Sequence, residues 1–444
     1  MQRTIALWKA RARRVFYGWW IVGAGAALHA VGAGMLGHGF SAYFVSLQKE
    51  FTWNRTKVAT AYSLVRMESG LLGPLEGWAI DRWGPRPVVL VGVALFGLGF
   101  LLFSQVDSFL TYMGAFSVIA LGYSLSGFTP LSAAVVRWFV KKRSRAMGLT
   151  FAGQGVGGLL VPLVAWSIVR YDWRPTAIAA GVLIWIVGFP AALLVRHRPE
   201  PYGYLPDGAP AASGKDAASA PGERGVARDK VPAESQEFSA AQALRTPAFW
   251  LLAIGHAAAM AVVAAVSANQ IPHMVQRVHL SLEAAGGVVG LLTVMQVTGQ
   301  VSGGYLGDRF NKRALFVACM AGHSAGLLVL AYATSMAHLV LFATLHGLAW
   351  GVRAPLLQAI RADYFGTSSF ATIMGMTNVV IMVAQVSAPL FAAWLADIQD
   401  GYQMAFTIIA AIAGAGAIFL FLARRPVHPA ARAAATRAGS LAGR

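Results

Sequence analysis

"GWAIDRWGPR" occupies Gly77–Arg86 and "GYLGDRFNKR" occupies Gly304–Arg313. The two stretches align residue on residue: Gly77 with Gly304, Asp81 with Asp308, Arg82 with Arg309 and Arg86 with Arg313. Each closes a long apolar run with a short basic loop. A second pair falls at the same offset, since Met147–Gly148 begins one apolar run and Met374–Gly375 begins another. Two matches at one spacing predict duplicated halves, and internal repeats of apolar spans are a transporter architecture.

Composition agrees. The 444 residues are 57% hydrophobic and 12% charged, with a mean hydropathy of +0.58. A soluble globular chain carries about 25% charged residues, so most of this surface does not face water. Runs long enough to cross a bilayer, about 20 residues as a helix, recur along the chain. Backbone in hydrocarbon must satisfy its own hydrogen bonds, so these runs are predicted to be helices. Twelve spans are expected, near 17–47, 54–80, 87–106, 111–139, 146–170, 174–197, 248–276, 283–307, 313–334, 337–363, 369–397 and 402–423. Residues 198–247 are rich in Pro, Gly, Ala, Ser and charge and read as a cytoplasmic linker, mostly disordered. Its end, "SAAQALRTPAF", is predicted to form a short interfacial helix. The fold expected is an all-α membrane protein: twelve transmembrane helices in two pseudo-symmetric six-helix bundles, residues 17–197 and 248–423, with tails at 1–16 and 424–444.

The net charge of +18 raises the question of nucleic acid, but its distribution answers against it. Basic residues sit in "RTIALWKARARR", "DRWGPR", "VKKRSR", "GDRFNKR" and "ARRPVHPAARAAATR", while the loops around Asp107, His338 and Asp397–Asp400 carry almost none. This positive-inside asymmetry predicts basic loops and both termini in the cytoplasm, with the chain in the cell inner membrane. "RARR" before an apolar run has the form of a signal-peptide n-region, but the run from Tyr17 to Leu47 is too long for an h-region and reads as a retained first span. The single cysteine, Cys319, excludes a disulfide within the chain and reads as a small buried hydrophobe.

The paired Gly-x-x-x-Asp-Arg loops resemble the signature loop of the major facilitator superfamily. A narrower resemblance comes from "YGWW" opening span one, "WNRTKVATAYSL" opening span two, "RWFVKKRSRAMGLTFAGQGVGG" joining spans four and five, and "RPEPYGYLPDG" after span six. Together these look like the monocarboxylate-porter and oxalate/formate-antiporter branch. The resemblance implies transport of small organic anions by proton symport or anion exchange. It also implies that Asp81, Arg82, Asp308 and Arg309 form the family's inter-helix latch, which stabilises one access state. The family often has its substrate arginine in span eight, and this span eight, "GGVVGLLTVMQVTGQVSGGYLGD", has no basic residue.

That departure moves the weight to Arg353, in the middle of span ten within "LHGLAWGVRAPLLQAI". A charge there costs at least about 2.5–3.5 kcal/mol on insertion scales, and such residues usually face a cavity and bind something. Guanidinium grips a carboxylate with two prongs and stays charged, so Arg353 is read as the substrate ligand; the bland alternative is a structural pair with a nearby acid. In span two, Arg66 and Glu68 both fall near mid-membrane but, two apart on a helix, do not face each other. Arg66 is read as a second anion ligand and Glu68 as the proton carrier, against a static charge network. His29 in span one suits proton exchange or hydrogen bonding. Asn269, Gln270 and His273 make a polar cluster in span seven, and Gln154, Gln296, Gln300, Asn378 and Gln385 are further polar sites; His29, Asn269, Gln270 and Gln154 are read as substrate-binding candidates beside the two arginines, against the simpler role of hydrogen bonding between helices. His346 shares the face of Arg353. The Gly-rich "GQGVGGLL" lacks a phosphate loop's Lys-Ser/Thr ending and preceding strand, so close packing through Gly153 and Gly157 is the reading.

These residues point to a secondary transporter of lactate-like monocarboxylates, proton-coupled, working as a monomer in the lipid bilayer. It is expected to need no cofactor or metal, to bind no nucleic acid and not to be an enzyme, since no span shows a catalytic motif. Rivals are an organic-anion antiporter, a drug or metabolite efflux pump, and a membrane sensor derived from a transporter.

Overall fold

The structure is a computed structural model that describes residues 15–53, 67–208 and 237–429. Span one is α1, Gly18–Gly32, continuing through a wider π turn at Ala33–Gly37 into α2, Phe40–Phe51. Span two ends in α3, Gly73–Trp83, and span three is α4, Pro85–Phe103. Span four breaks at Gly127 into α5, Phe109–Ser126, and α6, Phe128–Trp138. Span five breaks at Leu159–Leu160 into α7, Arg143–Gly158, and α8, Val161–Tyr171; span six is α9, Trp173–Leu194. After the short helix α10, Ala240–Leu244, the second half runs more regularly: α11, Pro247–Val278; α12, Leu282–Arg309; α13, Lys312–Ala331; α14, Met336–Phe365; α15, Phe370–Gln399; and α16, Gln403–Leu422. Eleven of these spans, among the described residues, are long and apolar enough to cross a membrane, and the second, whose beginning lies outside those residues, makes twelve.

The helices bury two hydrophobic cores. One gathers side chains from Ile21 to Val195 together with Ala362, Phe370, Ala371 and Met374 across the interface, and the other gathers side chains from Phe238 to Ala423. The duplication reaches the backbone. Thr52 and His279, 227 residues apart, end spans one and seven in the same left-handed conformation, with φ of 54° and 56°. Both lie on the face opposite the basic loops. There Trp173 Nε1 donates to Glu50 Oε2 at 2.5 Å and Arg174 pairs with the other oxygen. Burial works the other way, but these donors hold the Glu50 carboxyl below its usual range.

The halves meet along two crossings, span two on span eleven and span five on span eight. Glycine makes both possible. A Cβ on Gly375 would overlap the Gly73 carbonyl oxygen, and one on Gly77 would overlap that of Ala371. At the equivalent crossing a Cβ on Gly148 would overlap the Gln300 carbonyl oxygen, and one on Gly304 would come within 2.9 Å of Arg145 Cα. Backbones this close gain dispersion contacts, which stand in for the hydrophobic drive that lipid does not supply.

Of the expected linker, the ends are described and residues 209–236 lie outside the described residues. Asp207 accepts from the backbone N–H of Val140, Lys141 and Lys142, and Phe238 is wholly buried, bonded through its N–H to the Phe365 carbonyl. The predicted interfacial helix is the five-residue α10, opened by a Ser239–Gln242 capping box.

Candidate functional site

Span ten carries a stripe of polar side chains into the second bundle. His346, Arg353, Gln358 and Arg361 are each at most 2% exposed. His346, Arg353 and Arg361 stay on one side of the helix because seven or eight residues make about two turns, and Gln358 stands one turn before Arg361. Span seven faces the stripe with Met260 and His256, one turn apart, and span nine faces it with His323.

The two arginines are held differently. Arg361 Nη1 donates to Gln358 Oε1 at 3.2 Å, and Nη2 lies 3.1 Å from His256 Nδ1. Arg353 has only a 3.4 Å contact from Nη2 to the Met260 sulfur, and its Nε is buried with no hydrogen-bond partner. Among the described residues neither guanidinium makes an ion pair; the five ion pairs found involve Arg137, Arg143, Arg145, Arg174 and Lys312. A buried cation without a counter-ion is costly to keep. A carboxylate offers two acceptor oxygens to the Arg353 guanidinium, whose Nε–H is unused.

The other expected site residues fall apart into separate places. Arg66 lies outside the described residues. Glu68 is half-buried in span two, with Oε2 shielded and without a partner. Two turns on, Glu76 is buried and accepts from Ser124 Oγ at 2.7 Å, leaving Oε1 unpartnered. His29 is buried in the first bundle edge-on to the stacked rings of Phe128 and Phe151, at 6.4 and 5.6 Å, and its Nε2 has no partner. Asn269 donates to the carbonyls of Ala265 and Pro389, joining span seven to span eleven. Gln270 is buried with Oε1 unpartnered, and Gln154 is half-buried in span five. The structure brings His346 to Arg353 but not His29, Asn269 or Gln154.

A second constellation closes the basic face. Asp81 accepts from Ala371 N, Thr372 N and Thr372 Oγ1 at 3.2, 2.8 and 2.8 Å, and from Arg137 Nη2 at 2.8 Å. Asp308 accepts from Ser144 N at 2.9 Å and Arg145 N at 3.2 Å, with Arg145 Nε at 4.0 Å. Each aspartate thus caps the first turn of a span in the opposite half, where unpaired N–H groups and the helix dipole favour an anion. Arg82 and Arg309 are exposed at the helix ends, and Arg82 lies over the Trp78 ring at 5.7 Å. The basic partners are Arg137 and Arg145, and a third bridge joins Arg143 to Asp363, which also takes Lys312. Sequence reasoning missed Arg137, Arg143, Asp363, Arg361, His256, His323 and Glu76. The basic run "VKKRSR" pointed at the interface, but which acid each base meets is a tertiary fact.

Two helical halves that clasp one another at one face and, among the described residues, bury a cation without an ion-pair partner in a span have the architecture of a membrane transporter. The chain belongs to the Major Facilitator Superfamily, whose sequence profile matches residues 22–295 and again 252–443. It is 24% identical over 407 residues to monocarboxylate transporter 12 of Rattus norvegicus, covering 88% of this chain and 82% of that protein. It is also 24% identical over 371 residues to the oxalate:formate antiporter of Oxalobacter formigenes, covering 80% and 79%. A fujikurins efflux protein of Gibberella fujikuroi is 25% identical over 336 residues, covering 74% of this chain and 66% of that protein. Among solved structures, the fucose:proton symporter of E. coli superposes with a TM-score of 0.70 at 12% identity, covering 91% of this chain and 98% of that one.

Proposed function

We propose that this protein carries small organic monocarboxylates across the cell inner membrane by alternating access, in symport with protons. The observation that carries the reading is Arg353: a guanidinium 1% exposed, with no ion-pair partner among the described residues and an unused Nε–H. A substrate carboxylate would complete it. The resemblance to a monocarboxylate transporter and an oxalate:formate antiporter supports an anion as cargo. In this reading the basic face is cytoplasmic, both termini with it, the two bundles 17–197 and 248–423 rock about the site, and the working unit is a monomer. Glu68, with its unpartnered carboxyl oxygen in the first half, carries the coupled proton.

The test is uptake of labelled formate, lactate, pyruvate and oxalate into proteoliposomes, with and without an imposed pH gradient. Accumulation of a monocarboxylate driven by the proton gradient is the expected result. Glu68→Gln, which mimics the neutral acid, should keep carboxylate exchange and weaken that accumulation. Uptake that depends on a trans anion and ignores the pH gradient would make the protein an exchanger. Failure of every acid, with export of an apolar dye, would make it an efflux pump, the activity named for one of its relatives.

A further inference from the structure

Spans nine and ten bring together two histidines that nothing in the sequence pairs. His323 Nδ1 and His346 Nδ1 lie 3.1 Å apart, with ring centroids 4.7 Å apart and planes inclined by 66°. Neither side chain is exposed. Phe342 stacks on His346 at 5.6 Å, and Trp350 approaches it at 6.2 Å. A hydrogen bond between two Nδ1 atoms contains one proton. The neutral pair therefore holds two different tautomers, in which the donor ring keeps a bare Nε2 and the acceptor ring carries Nε2–H. Both Nε2 atoms are buried without a hydrogen-bond partner. Two apolar side chains would fill this space at no such cost, whereas two imidazoles supply one basic nitrogen inside the bundle.

Few ionisable groups surround the pair. On span ten, Arg353 lies seven residues beyond His346 on the same face. On span nine, Cys319 lies one turn before His323 as a buried thiol. Span seven turns His256 toward Arg361. Span eight, packed on span ten, has no ionisable residue between Glu283 and Tyr305, and span twelve, packed on span nine, has none at all. Arg353 is thus the one fixed charge beside the pair among the described residues.

We propose that the His323–His346 pair is a proton site loaded by the anion that Arg353 binds. The inference rests on the reading of Arg353 as the anion ligand. With Arg353 empty, a further proton on the pair would set two cations side by side in a medium of low dielectric. A carboxylate on Arg353 cancels the guanidinium charge. The bare Nε2 then takes a proton from water, forming an N–H bond and an imidazolium, and returns it when the anion leaves. Reciprocity requires that a proton on the pair tighten anion binding by the same factor.

The experiment titrates purified protein, in weakly buffered detergent, with each of the four panel acids while a pH indicator follows proton uptake. Glu68→Gln serves as background because it removes the other proton group. In that background binding should take up about one proton per anion near neutral pH. Adding His323→Asn and His346→Asn should abolish the uptake while a weakened anion affinity remains. Undiminished uptake in that variant overturns the inference. Where the variant does not fold, infrared difference spectra of the Glu68→Gln protein with and without anion decide: new imidazolium bands are expected, and their absence overturns the proposal. A wild-type protein that binds none of the acids fails the underlying reading instead, and shows it as missing binding, not as binding without protons.

Discussion

Arg353 and Arg361 share a helix face and a lack of acidic neighbours, yet they should respond differently to mutation. Arg361 has Gln358 and His256 as neutral hydrogen-bond partners, whereas Arg353 has only a thioether. Arg353→Lys keeps the charge but loses the fork, so binding of a transported carboxylate should weaken about tenfold, the equivalent of roughly 1.4 kcal/mol. Arg353→Ala removes the ion pair and should weaken binding by about 2–5 kcal/mol, in practice beyond detection by isothermal titration. Wild-type affinity in a correctly inserted Arg353→Ala protein would remove Arg353 from the site. Arg353 was legible in the sequence because one arginine interrupts a long apolar run. Arg361 was not, because it falls only four residues inside α14's end, where a charge is ordinary. Its burial depends on His256 approaching from another helix.

At the scale of elements, the two crossings of glycine-bearing spans set the closed face. Gly375 sits against the Gly73 carbonyl with no room for a methyl group. Gly375→Ala should therefore push span eleven from span two, and Gly148→Ala should do the same to spans five and eight. Overpacking of this kind costs about 1–3 kcal/mol, and the cost falls only on the state in which the basic face is shut. The population with that face parted should rise by about five- to 150-fold. Spin labels on Trp83→Cys and Phe310→Cys, both exposed at the basic face, would report a longer distance component in each glycine variant. An unchanged distribution would mean the helices absorb the methyl group by local shifts. The long apolar runs made the twelve spans readable, and the repeat of Gly148 and Gly375 was visible as a pair. The breaks inside spans four and five were not, because Gly127 and Leu159–Leu160 interrupt the helix without interrupting its apolar character. Which helices the repeated glycines touch was also hidden, since the crossings join residues more than 150 positions apart.

Over the whole molecule, the two aspartates of the repeated loops hold one face closed through equivalent but unequal clasps. Both cap a helix start across the interface, and the duplication in sequence accounts for that symmetry. The environments of their basic partners differ. The Arg137 side chain is 3% exposed and meets Asp81 at 2.8 Å, whereas the Arg145 side chain is 26% exposed, 4.0 Å from Asp308, and rests on the Tyr305 ring at 4.0 Å. Asp81→Asn leaves a buried guanidinium whose remaining contact is the Thr367 carbonyl at 3.3 Å. Removing one partner of such a buried pair costs about 3–5 kcal/mol. Asp308→Asn leaves a cation that is partly exposed and rests on an aromatic face, and should cost about 1 kcal/mol, in line with exposed pairs. The sequence alignment treats the two loops as equals, so their inequality belongs to the folded molecule. Asp81→Asn should thus open the basic face far more than Asp308→Asn in the same spin-label measurement. It should also slow net transport more, because return to the clasped state becomes the slow step. Affinity for substrate should change only by the shift in population, since neither aspartate lies in the stripe around Arg353. Equal effects of the two substitutions would place the clasp in the backbone caps alone. A large loss of affinity at unchanged label distances would mean that Asp81 acts on the substrate site and not on the balance between states.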